Sequence, residues 1–121
     1  MTAVMIVEDD DEIRELLAEM LADRGFLVST ARHGKDALEL LRTKPPPNIV
    51  LLDLMMPVMD GWQMRAEMLA DPKLAGIPVI IVSGAADLQD GSEMLKAARV
   101  LTKPVKWPVL LESVRDHASV T

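Results

Sequence analysis

The hydrophobic positions of this chain fall into two patterns, short uninterrupted apolar runs and longer stretches in which apolar residues recur at helical spacing. Residues 49–52 form the clearest run, with four consecutive apolar side chains. Such a run is typical of a parallel strand that helices cover on both faces. It leads into Asp53, whose carboxylate is too costly to bury unpaired and is therefore expected at the strand's end. On this stretch alone, a turn residue and a functional acid are equally good interpretations of Asp53.

Four further apolar runs predict strands over residues 3–7, 26–30, 77–82 and 99–102. The helix predicted after the first strand has one apolar face, formed by Ile13, Leu16, Leu17, Met20 and Leu21. Further helices are predicted over residues 34–43, from Asp60 to Asp71-Pro72, weakly from Ser92 because Gly91 interrupts an earlier start, and from Trp107. This alternation predicts an α/β fold, with a five-stranded parallel sheet, helices on both faces and right-handed crossovers.

Composition narrows the classes of function. The 121 residues are expected to form one domain, residues 1–121, and the absence of cysteine excludes disulfides and thiolate metal sites. A net charge of −6 argues against direct binding to nucleic acid. The sequence shows no signal peptide, and its apolar stretches are too short to span a bilayer. A cytoplasmic protein without membrane contact is expected.

Polar side chains collect where the predicted strands end. The first strand is followed by Glu8 and Asp9, the third by Asp53, the fourth by Ser83 and the fifth by Lys103. Ligands of open α/β sheets bind beyond the carboxyl ends of the strands, so these groups are expected to converge. Three neighbouring carboxylates favour a shared cation, and oxygen ligands suit Mg²⁺. Together the groups fit phosphoryl transfer, with Asp53 as a nucleophile, although each alone is also explained as a helix-start acid, a cap or a solvated lysine.

Four motifs occur in a specific order and spacing: Val7-Glu8-Asp9, residues 52–61, Val82-Ser83-Gly84 and Thr102-Lys103-Pro104. On these motifs the chain resembles, over essentially its whole length, the receiver domain of bacterial two-component response regulators. The resemblance implies a flavodoxin-like, doubly wound sheet with strand order 2-1-3-4-5. It also implies that Asp53 accepts a phosphoryl group from the phosphohistidine of a sensor histidine kinase or a histidine phosphotransfer protein.

The resemblance further implies a role for each residue of the site. Glu8, Asp9, Asp53 and the backbone carbonyl of Met55 are expected to hold Mg²⁺. Ser83 and Lys103 are expected to contact the phosphoryl oxygens, and the bond between Lys103 and Pro104 is expected to be cis. Phosphorylation is then expected to switch a protein-interaction surface formed by the predicted fourth helix, the fifth strand and the last helix.

The sequence departs from the family at the switch. Family members usually couple the hydroxyl of the fourth strand, here Ser83, to an aromatic residue on the fifth strand, whose position Val100 occupies. A degenerate receiver that binds a downstream protein constitutively is therefore an alternative. A Mg²⁺-dependent phosphatase with an aspartate nucleophile is less favoured, because such enzymes generally have a second acid where this chain has Met55. We expect a monomer or weak dimer, either free-standing or part of a longer regulator.

Overall fold

The computed structural model describes residues 1–88 and 92–119. Gly91, the predicted interruption of the fourth helix, lies outside these residues. The five strands are Ala3–Val7 (β1), Leu27–Ala31 (β2), Ile49–Leu52 (β3), Val79–Ser83 (β4) and Arg99–Thr102 (β5). Within residues 1–88 and 92–119, the four α-helices are Asp11–Asp23 (α1), Gly34–Thr43 (α2), Gly61–Ala70 (α3) and Trp107–His117 (α4).

The strands form one parallel sheet in the order β2-β1-β3-β4-β5. This confirms the predicted fold class and strand order. All four residues of β3 are buried, as expected for a central strand covered on both faces. No helix within the described parts of the chain is long and apolar enough to cross a membrane.

The sheet divides the hydrophobic interior into two clusters. Along β1, Val4 and Ile6 face one cluster and Met5 and Val7 face the other, because side chains alternate along a strand. The α1/α4 cluster receives Leu21, Leu110, Leu111 and Val114 from its helices, and the α2/α3 cluster receives Ala37, Leu38, Leu41, Met64 and Met68. The buried methionines take the space that aromatic side chains fill in many cores.

The predicted apolar face of α1 is only partly covered. Leu21 is fully buried, but Leu16 is 58% exposed and Ile13 is 39% exposed. The reason is a groove of about 600 Å³ between α1 and α4, which leaves these side chains open to solvent. Arg14 is instead buried, with its guanidinium turned toward the loop that precedes the helix. The predicted helix and its apolar residues are present, but Ile13 and Leu16 lie at the groove and are not buried.

The predicted fourth α-helix is also wrong in the described residues. The connection from β4 to β5 contains two short 3₁₀ turns, Ala85–Asp87 and Ser92–Leu95. The second turn ends because Lys96 takes a left-handed backbone conformation, with φ of 48°. Arg65 on α3 is buried and donates hydrogen bonds to the carbonyls of Leu95 at 2.7 Å and Lys96 at 3.2 Å. The end of the turn is thus capped by a side chain from α3 rather than by a further helical turn.

The loop between β3 and α3 packs tightly against the start of α3. Asp60 caps the helix and forms a capping box with Gln63. Gly61 donates its backbone N–H to the carbonyl of Leu54 at 2.9 Å. A Cβ at Gly61 would overlap the backbone oxygen of Asp53 and lie 2.8 Å from the Cα of Leu54. A residue without a side chain is therefore required beside Asp53.

We expect Gly61→Ala to lower the free energy of unfolding by about 2 kcal/mol, because the added methyl group displaces backbone rather than a flexible side chain. Gly76→Ala is the matched control, since a Cβ there meets nothing within 4 Å. Urea unfolding of both variants checks the prediction. Equal stability of the two variants would contradict the tight fit at Gly61.

Candidate functional site

Two buried carboxylates meet at the carboxyl end of the sheet. Val7 and Leu52 are partners in the parallel pairing of β1 and β3, so the residues that follow them, Glu8 and Asp53, emerge side by side. The N–H of Asp53 also donates to the carbonyl of Val7 at 3.1 Å, which carries the pairing into the loop. Glu8 is 4% exposed and Asp53 is 6% exposed. Burying two neighbouring acids requires a compensating cation.

Lys103 supplies that positive charge from the end of β5. Its Nζ donates to Oε1 of Glu8 at 2.9 Å and to Oδ2 of Asp53 at 3.3 Å. The peptide bond between Lys103 and Pro104 is cis. The ammonium therefore lies between the two acids, and Lys103 is not a solvated surface lysine.

Asp9 completes an acidic cluster on the solvent side. One carboxylate oxygen from each of Glu8, Asp9 and Asp53 lies within 4.8 Å of the others. Asp9 is exposed, so the cluster is open to an entering ion. Oδ1 of Asp53 accepts a hydrogen bond from the backbone N–H of Met55 at 3.3 Å. Met55, whose backbone carbonyl is a predicted Mg²⁺ ligand, therefore lies next to the Asp53 carboxylate. An all-oxygen donor set with one open side fits Mg²⁺.

The ionisation of these groups reflects their crowding. Burial raises the pKa of Glu8 above its ordinary value of 4.5, although the hydrogen bond from Lys103 opposes the shift. Desolvation, together with the neighbouring Glu8, also raises the pKa of Asp9. Burial alone would lower the pKa of Lys103, but the bond to Glu8 and the charge of Asp53 outweigh it and raise that pKa. Glu8 and Asp9 therefore hold their protons more tightly than usual, and a bound cation would lower both pKa values.

We expect the stability of the protein without Mg²⁺ to fall as the pH rises from about 4.5 through the raised pKa of Glu8. The sign follows because the folded state holds the Glu8 proton more tightly than the unfolded chain does. Its stabilising contribution is complete below the unfolded pKa and is lost above the folded one. Urea unfolding in EDTA across this range, compared with Glu8→Gln, isolates the effect. Parallel curves for the two proteins would contradict it.

Arg14 holds the backbone of the acidic loop after β1. The sequence alone did not predict this role. Its Nη1 donates to the carbonyl of Glu8 at 3.0 Å and reaches that of Asp9 at 3.5 Å, and its Nη2 pairs with the carboxylate of Asp11. The pairing holds the pKa of Asp11 below its usual range. The signal in the sequence was an arginine three residues after Asp11, a spacing that allows an ion pair on one helix face. The guanidinium fixes the backbone that carries two of the three clustered acids.

Ser83 lies at the end of β4 and is fully buried. Its backbone carbonyl accepts the N–H of Lys103 at 2.9 Å, which ties the ends of β4 and β5 together. Its hydroxyl donates to Oδ2 of Asp87 at 3.4 Å, a contact that the sequence did not reveal. Val100, the other predicted switch residue, pairs with Ile81 within the sheet, and its side chain is 41% exposed.

The fold and the site together define a class, that of flavodoxin-like α/β proteins with an acidic crevice at the carboxyl ends of β1 and β3. The sequence matches the response regulator receiver domain family over residues 4–115. The chain belongs to the response regulator receiver domain family. The resemblance inferred from the four motifs is thereby confirmed.

Several relatives place the chain within this family. It is 33% identical over 116 residues to the protein PilH of Pseudomonas aeruginosa, covering 94% of this chain and 95% of PilH. It is 38% identical over 121 residues to the response regulator PleD of Caulobacter vibrioides, covering 96% of this chain but only 26% of PleD. The chain thus spans nearly all of some relatives and about a quarter of others.

Solved structures agree with this placement. The response regulator TrrA of Thermotoga maritima, solved in complex with Mg²⁺ and BeF, is 27% identical with a TM-score of 0.84, covering 96% of this chain and 98% of that chain. A sensor protein from Polaromonas sp. JS666 is 26% identical with a TM-score of 0.87, covering 96% of this chain and 94% of that chain.

Proposed function

We propose that Asp53 accepts a phosphoryl group from a phosphohistidine, with Mg²⁺ held by Glu8, Asp9, Asp53 and the backbone carbonyl of Met55. The observation that carries the proposal is the position of Lys103, whose Nζ contacts Asp53 while Asp9 leaves the site open to solvent. Bound Mg²⁺ supplies positive charge that stabilises the phosphoryl oxygens during transfer. The relative solved with Mg²⁺ and BeF supports the assignment of the ion.

In the transfer step, a carboxylate oxygen of Asp53 forms a bond to phosphorus as the bond between phosphorus and the donor imidazole nitrogen breaks. The bonding electron pair returns to the imidazole, and the product is an aspartyl phosphate. Lys103 neutralises charge on the transferred group, and the Ser83 hydroxyl donates a hydrogen bond to one of its oxygens. The buried walls of the crevice hold these groups in place, so catalysis consists mainly of positioning.

The groove between α1 and α4 is the surface that a histidine-bearing partner covers. Its lining is mostly apolar and includes Leu16 and Trp107, and it extends to Asp53 and Lys103. A protein that delivers a phosphoryl group to Asp53 has to approach this end of the sheet, where the groove offers apolar contact area. A sensor histidine kinase or a histidine phosphotransfer protein is therefore the proposed donor.

We expect Leu16→Ser to slow phosphoryl transfer from a phosphohistidine donor by roughly tenfold, because it removes an exposed apolar contact beside the site. Labelling by acetyl phosphate, which needs no protein docking, should not change. Leu27→Ser on β2 is the matched control, since Leu27 is 60% exposed and lies outside the groove lining. An equal effect of both substitutions would contradict the docking surface.

The test of the proposed function is labelling with radioactive acetyl phosphate. The protein is expected to take up one phosphoryl group per chain in the presence of Mg²⁺, in a bond that alkali cleaves, and none in EDTA. Absence of Mg²⁺-dependent labelling would overturn the proposal. Repeated turnover of phosphomonoesters would identify a phosphatase instead, despite Met55 at the position where a second acid is expected.

The surface that changes on phosphorylation is proposed to comprise the turn Ser92–Leu95, β5 and α4. This turn takes the place of the predicted fourth helix, and Met94 in it is 74% exposed. Val100 on β5 adds a second exposed apolar side chain. A downstream protein is the proposed reader of this surface.

A further inference from the structure

The hydroxyl of Ser83 is engaged with a carboxylate that none of the site motifs contains. Oγ of Ser83 donates to Oδ2 of Asp87 at 3.4 Å, and the N–H of Asp87 donates to the carbonyl of Gly84 at 3.0 Å. The turn thereby folds the Asp87 carboxylate back over Gly84. A Cβ at Gly84 would lie 3.1 Å from Oδ2 of Asp87, so the glycine leaves room for this contact.

A serine hydroxyl has one proton to donate, and an ionised carboxylate can only accept. The proposed function requires the same proton for a phosphoryl oxygen on Asp53. Because Ser83 is fully buried, solvent water does not reach its hydroxyl to bridge it to a second acceptor. The contact with Asp87 and the contact with the phosphoryl group are therefore mutually exclusive.

We infer that Asp87 is a positioning residue that holds the Ser83 hydroxyl away from Asp53 until a phosphoryl group displaces it. This inference rests on the proposed function of Asp53. On phosphorylation, the Ser83 hydroxyl donates its hydrogen bond to a phosphoryl oxygen instead of to Asp87. The Asp87 carboxylate then loses that hydrogen bond. The contact is long at 3.4 Å, so giving it up costs less than a short charge-assisted bond would.

The release of Asp87 couples phosphorylation of Asp53 to the loop that follows β4. This coupling does not need an aromatic residue at position 100, where the chain has Val100. Asp87 belongs to the turn Ala85–Asp87, directly after the site residue Ser83 and Gly84. A phosphoryl group brings additional negative charge toward the Asp87 carboxylate, and like charges repel. The turn Ala85–Asp87 therefore moves when Asp87 loses its hydrogen bond with the Ser83 hydroxyl.

The far end of the same connection is linked to α3. Arg65 donates to the carbonyls of Leu95 and Lys96, and Leu95 is buried in the α2/α3 cluster. Its guanidinium is anchored on α3, whose start is packed against the backbone of Asp53. The inferred movement therefore begins at the turn Ala85–Asp87, and Arg65 links the far end of the connection to α3.

The test is a titration with beryllofluoride at saturating Mg²⁺. Two-dimensional amide NMR of the full chain monitors the titration and gives the affinity. Asp87→Ala is expected to bind beryllofluoride about threefold to tenfold more tightly than the unaltered protein, the factor that corresponds to one hydrogen bond. Asp87→Asn should fall between the two, because its neutral oxygen is a weaker acceptor. Glu39→Gln, which removes an exposed acid on α2, should leave the affinity unchanged.

The decisive comparison repeats Asp87→Ala in a Ser83→Ala background, where the gain in affinity should disappear. A gain of equal size in both backgrounds would mean that Asp87 acts only through its charge, and this would overturn the inference. No gain in either background would overturn it as well. These outcomes differ from failure of the proposed function, in which the unaltered protein itself does not bind beryllofluoride with Mg²⁺.

Discussion

Replacing Asp53 with asparagine is expected to abolish phosphoryl labelling, by acetyl phosphate and by a phosphohistidine donor alike. The amide is nearly the same size as the carboxylate but lacks the nucleophilic oxygen that forms the bond to phosphorus. Lys103 keeps its contact with Glu8 at 2.9 Å, so the crevice retains one of its two ion pairs. Loss of labelling then reports the missing nucleophile rather than an unfolded protein.

Asp116→Asn is the control for Asp53→Asn, since Asp116 is an exposed acid on α4. Labelling stoichiometry is measured with the phosphoryl group counted per chain, and urea unfolding is recorded for each variant. Undiminished labelling of a folded Asp53→Asn protein would place the acceptor elsewhere and refute its assignment.

Lys103→Met is expected to have the second largest effect, because two nearly buried acids lose the ammonium group that both of them contact. The side chains of Glu8 and Asp53 are 6% and 7% exposed, and each has a hydrogen bond from Lys103. Leaving buried charged acceptors without partners should cost roughly 1–3 kcal/mol of unfolding free energy in EDTA. Labelling by acetyl phosphate should slow by about a hundredfold, since one charge that stabilises the transferred group is lost.

Mg²⁺ should restore part of the stability that Lys103→Met loses, because the ion offsets the same carboxylates. Lys73→Met, at an exposed lysine, is the matched control and should show neither effect. Urea unfolding with and without Mg²⁺ measures the first effect, and the rate of label incorporation measures the second. A Lys103→Met protein as stable as the control in EDTA would show that Glu8 and Asp53 do not need the ammonium.

Much of the fold was predictable because its signals are local. An apolar run of strand length that ends in an acid indicates a buried parallel strand and its carboxyl end, as β3 and Asp53 show. Parallel strands end at one edge, so the convergence of Glu8, Asp53 and Lys103 followed from the alternation of strands and helices. The family motifs added the roles that geometry alone leaves open.

The parts that sequence reasoning missed depend on contacts between distant segments. Helical spacing indicates that Ile13 and Leu16 share a face of α1, but it does not indicate how closely α4 approaches that face. The prediction of a fourth helix is wrong in the described residues. Arg65, some 30 positions away in sequence, accounts for this because it donates a hydrogen bond to the carbonyl at the end of the turn Ser92–Leu95. The contact between Ser83 and Asp87 likewise depends on a side-chain orientation that spacing does not encode.

The division of the interior by the sheet has a consequence for how the protein can diversify. The proposed donor surface lies over the α1/α4 cluster, whereas Leu95 anchors the turn Ser92–Leu95 to the α2/α3 cluster. The two proposed surfaces share the acidic crevice and α4, but only the proposed reader surface also rests on the α2/α3 cluster. Substitutions around Leu95 can therefore alter the proposed reader surface without changing the side chains that line the proposed donor groove.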